Sequence, residues 1–229
     1  MKLPEAYLFD MDGTLCHTEP LHFAALRQTL RENGEALDIR LFESQLAGQT
    51  TANVFETLFP ELSERERRIL VGRKEKLFRE LASELTPTPG VADFIDWADR
   101  SGTAIALVTN APRVDVEFIL RVLDMPKRFD IVIVASEMPH PKPHPMPYLR
   151  ALEACNVRAS AAVAFEDSFA GVMSATTAGI QTVGITTTLS SEVLLRAGVS
   201  RTVVDFQDAK LKSLSLALAP DLGRSQRSA

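Results

Sequence analysis

The sequence predicts an α/β fold, a doubly wound parallel sheet whose chain is interrupted early by an inserted α-helical domain. Three observations carry that prediction. From residue 104 onward, uninterrupted apolar runs alternate with segments of helical periodicity; a similar run, Tyr7-Leu8-Phe9, stands alone near the N-terminus; and a long stretch between them reads as helical almost throughout. Runs that are apolar at every position, rather than at every second one, belong to strands buried on both faces, the pattern of a parallel sheet covered by helices.

Each element has its own justification. Residues 7–9 form the first strand, ended by Asp10-Met11-Asp12-Gly13-Thr14. Thr18, Glu19 and Pro20 open a helix in which Phe23, Ala24, Leu26 and Leu30 recur at helical spacing until Asn33-Gly34 stops it. Val54, Phe55, Leu58 and Phe59 make the apolar face of another helix before Pro60. Ser63-Glu64-Arg65-Glu66 is a capping box opening a long charged helix, with Ile69, Leu70, Leu77, Phe78 and Leu81 expected to face inward. Pro87-Thr88-Pro89-Gly90 breaks helicity. Beyond it, a helix marked by Val91, Phe94, Ile95 and Ala98, with Trp97 expected to pack on the sheet, precedes a strand at 104–108; Phe118, Ile119, Val122 and Leu123 mark the next helix. Further strands are expected at 131–135, 161–165, 181–185 and, more weakly, 201–204. Residues 1–16 and 89–229 thus read as one doubly wound domain, 17–88 as a helical insertion, and 223–229 as a frayed polar tail.

Bulk properties exclude several function classes. A 229-residue chain with 45% hydrophobic residues can bury a sizeable core. A net charge of −5 without a basic cluster argues against a nucleic-acid surface, and it repels an anionic substrate unless a local cation reverses it. No apolar stretch reaches membrane-spanning length, and no basic flank leads into an apolar segment near the N-terminus, so neither a membrane span nor a signal peptide is expected; a cytoplasmic monomer is. Cys16 and Cys155 lack metal-type spacing and fit a reducing compartment.

The strongest functional signal is where the strands end. Asp10 and Asp12 follow the first strand, Thr109-Asn110 the second, and Glu166-Asp167-Ser168 the fourth, and in a parallel sheet these ends share one edge. Four carboxylates in one crevice cannot all stay ionised without a cation, and oxygen-rich, sulfur-free ligation selects a hard ion such as Mg²⁺. Lys142, between Pro141 and Pro143, offers an ammonium suited to a phosphate oxygen. The plainer alternative at the first strand is a turn to which Asp12-Gly13 contributes only geometry.

These segments, Asp10-Met11-Asp12-Gly13-Thr14, Thr109-Asn110, Lys142-Pro143-His144-Pro145 and Phe165-Glu166-Asp167-Ser168, in this order and with a helical insertion after the first, resemble the haloacid dehalogenase superfamily, in its phosphatase and phosphomutase branch. The resemblance implies a Rossmann-like core with a helical cap. It implies Asp10 as the nucleophile that forms an aspartyl-phosphate and Asp12 as the general acid and base, so Asp10 must be ionised while Asp12 starts protonated. It implies Mg²⁺ on Asp10, the Asp12 carbonyl and Asp167, with Glu166 directly or through water. Thr109, the amides near Asn110, and Lys142 would hold the phosphoryl oxygens, and His22 would face the site from the hinge. His17 and Met146 depart from the family pattern without touching this set. His140 and His144 are read as exposed loop residues, the alternative being that they shape the phosphate side of the crevice. In the loop from Leu46 to Thr51, Ala47 and Thr51 stand where a mutase places basic residues for a second phosphate, with Arg73 or Lys74 as conceivable substitutes.

The expected activity is Mg²⁺-dependent hydrolysis of a small phosphomonoester, such as a sugar phosphate. A hexose phosphomutase is the alternative within the class. A phosphorylation-regulated receiver domain shares the residue types but places its acid pair before a separate phosphorylated aspartate, and a nucleotide-binding module lacks its glycine-rich loop here.

Overall fold

Strand β1 (Ala6–Phe9) lies at the centre of a parallel sheet in the computed structural model, which describes residues 3–42, 46 and 49–213. The chain continues through α1 (Glu19–Glu32), a short turn α2 (Ile39–Leu41), α3 (Thr51–Leu58) and α4 (Glu64–Leu81) before returning to the sheet. Helix α5 (Val91–Arg100), β2 (Ala104–Thr109), α6 (Arg113–Val122), β3 (Ile131–Val134), α7 (Met146–Cys155), β4 (Ala162–Glu166), α8 (Phe169–Thr177), β5 (Gln181–Ile185), α9 (Ser191–Ala197) and β6 (Arg201–Val203) complete it. The strand order is β3-β2-β1-β4-β5-β6, the doubly wound arrangement, with every pair parallel.

The sheet separates two apolar clusters. Tyr7 and Phe9 point to one side with Val91 and Ile95 of α5 and Ile119 of α6, while Ala6 and Leu8 point to the other with Tyr148 and Ala151 of α7 and Ala175 of α8. Trp97 reaches the first side through Tyr7 and Phe94 but remains 38% exposed. Both cysteines are free thiols, and no described helix is long and apolar enough to cross a membrane.

Two strands run further than their apolar residues suggest. Pairing of Thr109 with Val134 and of Glu166 with Gly184 carries β2 and β4 to the functional residues themselves, because the ladder needs only backbone groups. Ala135, by contrast, leaves β3 for a short 3₁₀ turn.

Helices α1, α3 and α4 surround a third cluster that includes Leu26, Leu30, Val54 and Phe55, with Leu70 against it. The capping box at Ser63 forms as expected. Ile69 and Leu81, expected inward, are instead 64% and 44% exposed. Ile69 lies about 100° around the helix from Leu70, off the packed stripe, and Leu81 is the last residue of α4. The inward stripe of α4 is partly polar: Lys74 and Glu75 are buried. Ala47, Gly48 and the 223–229 tail lie outside the described residues.

The segments entering and leaving the helical insert are tied together, with the Thr88 amide donating to the Leu15 carbonyl at 2.7 Å. A second tie is ionic. Arg79 of α4 donates to the carboxylate of Asp115 on α6, whose other oxygen faces Glu75 of α4 and has no donor. Burial and the facing Glu75 carboxyl push Asp115 up to about 7 despite Arg79. Burial also opposes charge on Glu75, but Lys74, Asp115 and Thr51 outweigh it and hold Glu75 below the usual range. Of the two facing carboxyls, Asp115 is therefore the one that takes up a proton more readily.

The sign follows. An unfolded Asp releases its proton near pH 3.9, so the folded chain binds the extra proton and stability falls as pH rises from about 4 toward 7. Asp115→Asn keeps a donor toward Glu75 and removes the titration. Between about pH 5 and 8 the Tm of the wild type should fall at least about 2 °C more than that of Asp115→Asn, read by calorimetry; parallel pH dependences would contradict the raised pKa of Asp115.

Candidate active site

Lys142 organises the floor of the crevice. Its backbone is clamped by Asn110, whose Oδ1 accepts from the Lys142 amide and whose Nδ2 donates to the Lys142 carbonyl, both at 3.1 Å. From there the side chain runs inward, 2% exposed, and its ammonium donates to Asp10 Oδ1 (2.7 Å), Glu166 Oε1 (2.6 Å) and the Val108 carbonyl (2.7 Å). All three protons are thereby used within the protein. Burial disfavours the ammonium, yet Asp10 and Glu166 hold its pKa above the ordinary value.

Glu166 ends β4, where Oε1 also accepts from the Tyr148 hydroxyl at 2.6 Å. Its Oε2 rests against Gly171, where an added Cβ would come within 1.8 Å. Asp167 is 1% exposed, and neither oxygen meets the geometry of a hydrogen bond although Thr188 faces it. Gly13, at φ +73°, brings bare backbone against Asp167, since a Cβ there would lie 1.9 Å from Oδ2. Oxygens of Asp10, Glu166 and Asp167 lie within 4.8 Å of one another.

Three buried carboxylates against one ammonium leave two formal negative charges unbalanced, a state low-dielectric surroundings do not tolerate. Burial, then the neighbouring acids, hold Asp10 and Asp167 well above the carboxylate range. An all-oxygen set with orphaned Asp167 oxygens fits a hard divalent cation.

Asp12 does not join that cluster. It turns toward α1, where Oδ1 accepts from Thr18 Oγ1 (2.7 Å) and His22 Nε2 (3.1 Å). Lys74 Nζ lies 2.7 Å from His22 Nδ1 and has only donors, so Nδ1 accepts and Nε2 carries the proton given to Asp12. The His22 ring stacks on Phe78 at 4.0 Å. Burial opposes charge on Asp12, but His22 and Thr18 outweigh it and lower its pKa. Among the protein groups alone, the expected split between the two aspartates is thus reversed: Asp10 is raised and Asp12 lowered.

Of the expected residues, Asp10, Asp12, His22, Thr109, Asn110 and Lys142 line one cleft, with Glu166 and Asp167 in its floor. Thr109 Oγ1 accepts from the Ala111 amide (3.0 Å), which leaves its own proton to give. Thr18 corrects an expectation: it precedes α1 without capping it and binds Asp12 instead. The four-residue spacing of Thr18 and His22 on one helix face was the available signal. Sequence reasoning missed Tyr148, whose partner Glu166 lies 18 residues on, and Glu75, which meets Thr51 24 residues away as well as its neighbour Lys74. His140 and His144 stack on each other at the surface, outside the cleft. Arg73 forks onto Glu32 (2.8 and 2.7 Å).

The chain matches the haloacid dehalogenase-like hydrolase family over residues 7–185. It is 33% identical over 201 residues to a phosphorylated carbohydrates phosphatase of Thermotoga maritima (85% of this chain, 91% of the relative). It is 30% identical over 181 residues to the fructose-1-phosphate phosphatase YqaB of Escherichia coli (78% and 94%). A mutant of CbbY from Rhodobacter sphaeroides, in complex with xylulose-(1,5)bisphosphate, superposes with a TM-score of 0.81 at 27% identity, covering 90% of this chain and 96% of that one. With two such phosphatase relatives and a family match over most of its length, the chain belongs to the haloacid dehalogenase-like hydrolases.

Proposed function

We propose that the protein is a Mg²⁺-dependent phosphatase that hydrolyses a small phosphomonoester, such as a sugar phosphate, through an aspartyl-phosphate on Asp10. The observation that carries this reading is the meeting of Asp10, Glu166 and Asp167 oxygens within 4.8 Å at the end of β1, beside a cleft lined by Asp12 and Thr109. The sugar-phosphate class is supported by the names of the relatives. Residues 17–88 act as the cap over a core of 1–16 and 89–229.

Asp10, Asp167 and Glu166, with the Asp12 carbonyl, would hold the metal. Mg²⁺, when bound, supplies the positive charge that keeps Asp10 ionised beside an incoming dianion. Lys142 fixes Asp10 through Oδ1, and a carboxylate oxygen of Asp10 attacks phosphorus as the ester bond breaks. Asp12 gives a proton to the departing oxygen and then takes one from the water that cleaves the aspartyl-phosphate. Its lowered pKa makes proton uptake the preceding step, and the negative charge of an entering phosphate raises that pKa again. Thr109 donates its free proton to a phosphoryl oxygen. Lys142, with its donors engaged, acts on the phosphoryl group through charge and through the placement of Asp10.

Phosphate release from a panel of phosphorylated metabolites should require Mg²⁺ and stop with a chelator. Asp10→Asn should lose about a thousandfold or more in kcat with its Tm preserved. Substantial turnover by purified Asp10→Asn, or indifference to the chelator, would sink the mechanism. β-Glucose 1-phosphate should yield inorganic phosphate; accumulation of the 6-phosphate would favour the mutase alternative.

A second prediction concerns the space Glu166 needs. In Gly171→Ala the new methyl would displace the Glu166 carboxylate, while helix propensity improves by up to about 1 kcal/mol. Activity should fall about tenfold or more and the Mg²⁺ concentration for half-activity should rise, with no matching loss of Tm. An unchanged Mg²⁺ requirement would mean that Glu166 does not bear on the metal.

A further inference from the structure

The wall of the cleft opposite Asp10 is formed by α1, α3 and α4 and is charged unlike a phosphate site. Among the described residues, the basic side chains that line the cleft are His22, Lys74 and Lys142, and His22 accepts from Lys74 at Nδ1. Lys142 is committed to Asp10, Glu166 and Val108. Lys74 is equally committed: its ammonium reaches His22 Nδ1 (2.7 Å), Thr51 Oγ1 (3.2 Å) and both oxygens of Glu75 (3.2 and 3.3 Å). Residues 43–45 and 47–48 contain no lysine, arginine or histidine in the sequence.

Acids dominate the same wall. Glu75, 5% exposed, lines the cleft and also accepts from the Thr51 hydroxyl. Glu19 of α1 lines it too, and its Oε2 is buried without a hydrogen-bond partner. An acceptor buried without a partner, as Glu19 Oε2 is, calls for a donor. A hydroxyl supplies one. A phosphate dianion supplies only further acceptors and charge of the same sign.

We propose that Glu75 is a specificity-determining residue, whose carboxylate cancels the charge of Lys74 so that this wall selects an uncharged, hydroxyl-bearing tail and rejects a second phosphate. The proposal rests on the phosphatase reading above and narrows its substrate class. It also sets this chain apart from the CbbY mutant, which is in complex with a bisphosphate. Removing the carboxylate charge leaves Lys74 as a net cation next to the tail. Selectivity then shifts toward a bisphosphate, by repulsion lost and attraction gained.

Calorimetric titration in Mg²⁺ provides the test. Fructose 1-phosphate and fructose 1,6-bisphosphate are titrated into Asp10→Asn, which is expected not to consume them, and into Asp10→Asn carrying Glu75→Gln or Glu75→Asp. Asp10→Asn should bind the monophosphate about tenfold tighter than the bisphosphate; Glu75→Gln should shift the ratio of the two Kd values about tenfold toward the bisphosphate, and Glu75→Asp should keep it. Equal or tighter binding of the bisphosphate by Asp10→Asn overturns the proposal. A ratio indifferent to Glu75→Gln does so as well, and so does failure to bind either sugar. Should Glu75→Gln not fold, the ratio in Asp10→Asn and its retention in Glu75→Asp decide. Phosphate released from fructose 1-phosphate by Asp10→Asn strikes the aspartyl-phosphate mechanism on Asp10 instead, independently of either ratio.

Discussion

One buried ammonium sets the geometry of the crevice. Lys142 lies between Asp10 at the end of β1 and Glu166 at the end of β4, adjacent strands whose carboxylates would otherwise repel each other in a medium that screens little. Its neighbours serve that placement. Asn110 fixes the Lys142 backbone, Tyr148 shares Glu166 and stands with its ring 5.2 Å from the ammonium, and Val108 takes the third proton. Burying such a group is favourable only when every donor is met, and here every donor is. The lysine so defined is a structural cation first, and in the proposed reaction an electrostatic partner of the phosphoryl group second.

What the sequence made legible follows from which forces are local. The strands showed themselves because β1 and β4 are buried on both faces and so apolar up to the acids at their C-terminal ends. Asp10, Asp12, Glu166 and Asp167 were legible because acids directly after such strands violate the burial rule unless they serve a site. Lys142 was legible by type, but its partners were not: they lie 132, 34 and 24 residues away, and only the closed sheet brings them within reach. Tyr148 looked like any core aromatic for the same reason. On α4 a purely apolar stripe was the natural reading, and it promoted Ile69 and Leu81 over the positions that face the cleft, Lys74 and Glu75. A polar pair buried by mutual compensation leaves no signature in hydrophobic periodicity.

Those two residues also explain how the helical insert bears on the chemistry below it. A chain of contacts runs from Asp12 through His22 and Lys74 to Glu75 and Asp115, leaving the core in the loop after β1 and re-entering it at α6. Donors and acceptors alternate along it in one sense only. Because Lys74 can only donate, His22 accepts at Nδ1 and donates from Nε2; Lys74 favours the charged form of Glu75, whereas burial and the facing Glu75 carboxyl disfavour that of Asp115. Each group's role as donor or acceptor thus depends on the next, and the hydrogen bond that Asp12 receives depends on a residue of α4 that never touches it.

This arrangement resolves an apparent conflict between an acidic protein and an anionic substrate. The chain carries a net charge of −5, and its cleft adds Glu19 and Glu75 to the aspartates of the floor. Uniform positive charge would attract phosphates indiscriminately. In the proposed reaction, concentrating the unbalanced demand for a cation at Asp10, Glu166 and Asp167, and neutralising Lys74 within the opposite wall, confines favourable phosphate electrostatics to the point where a bond would break. The remainder of the cleft is then free to read a ligand by the hydrogen bonds it can donate.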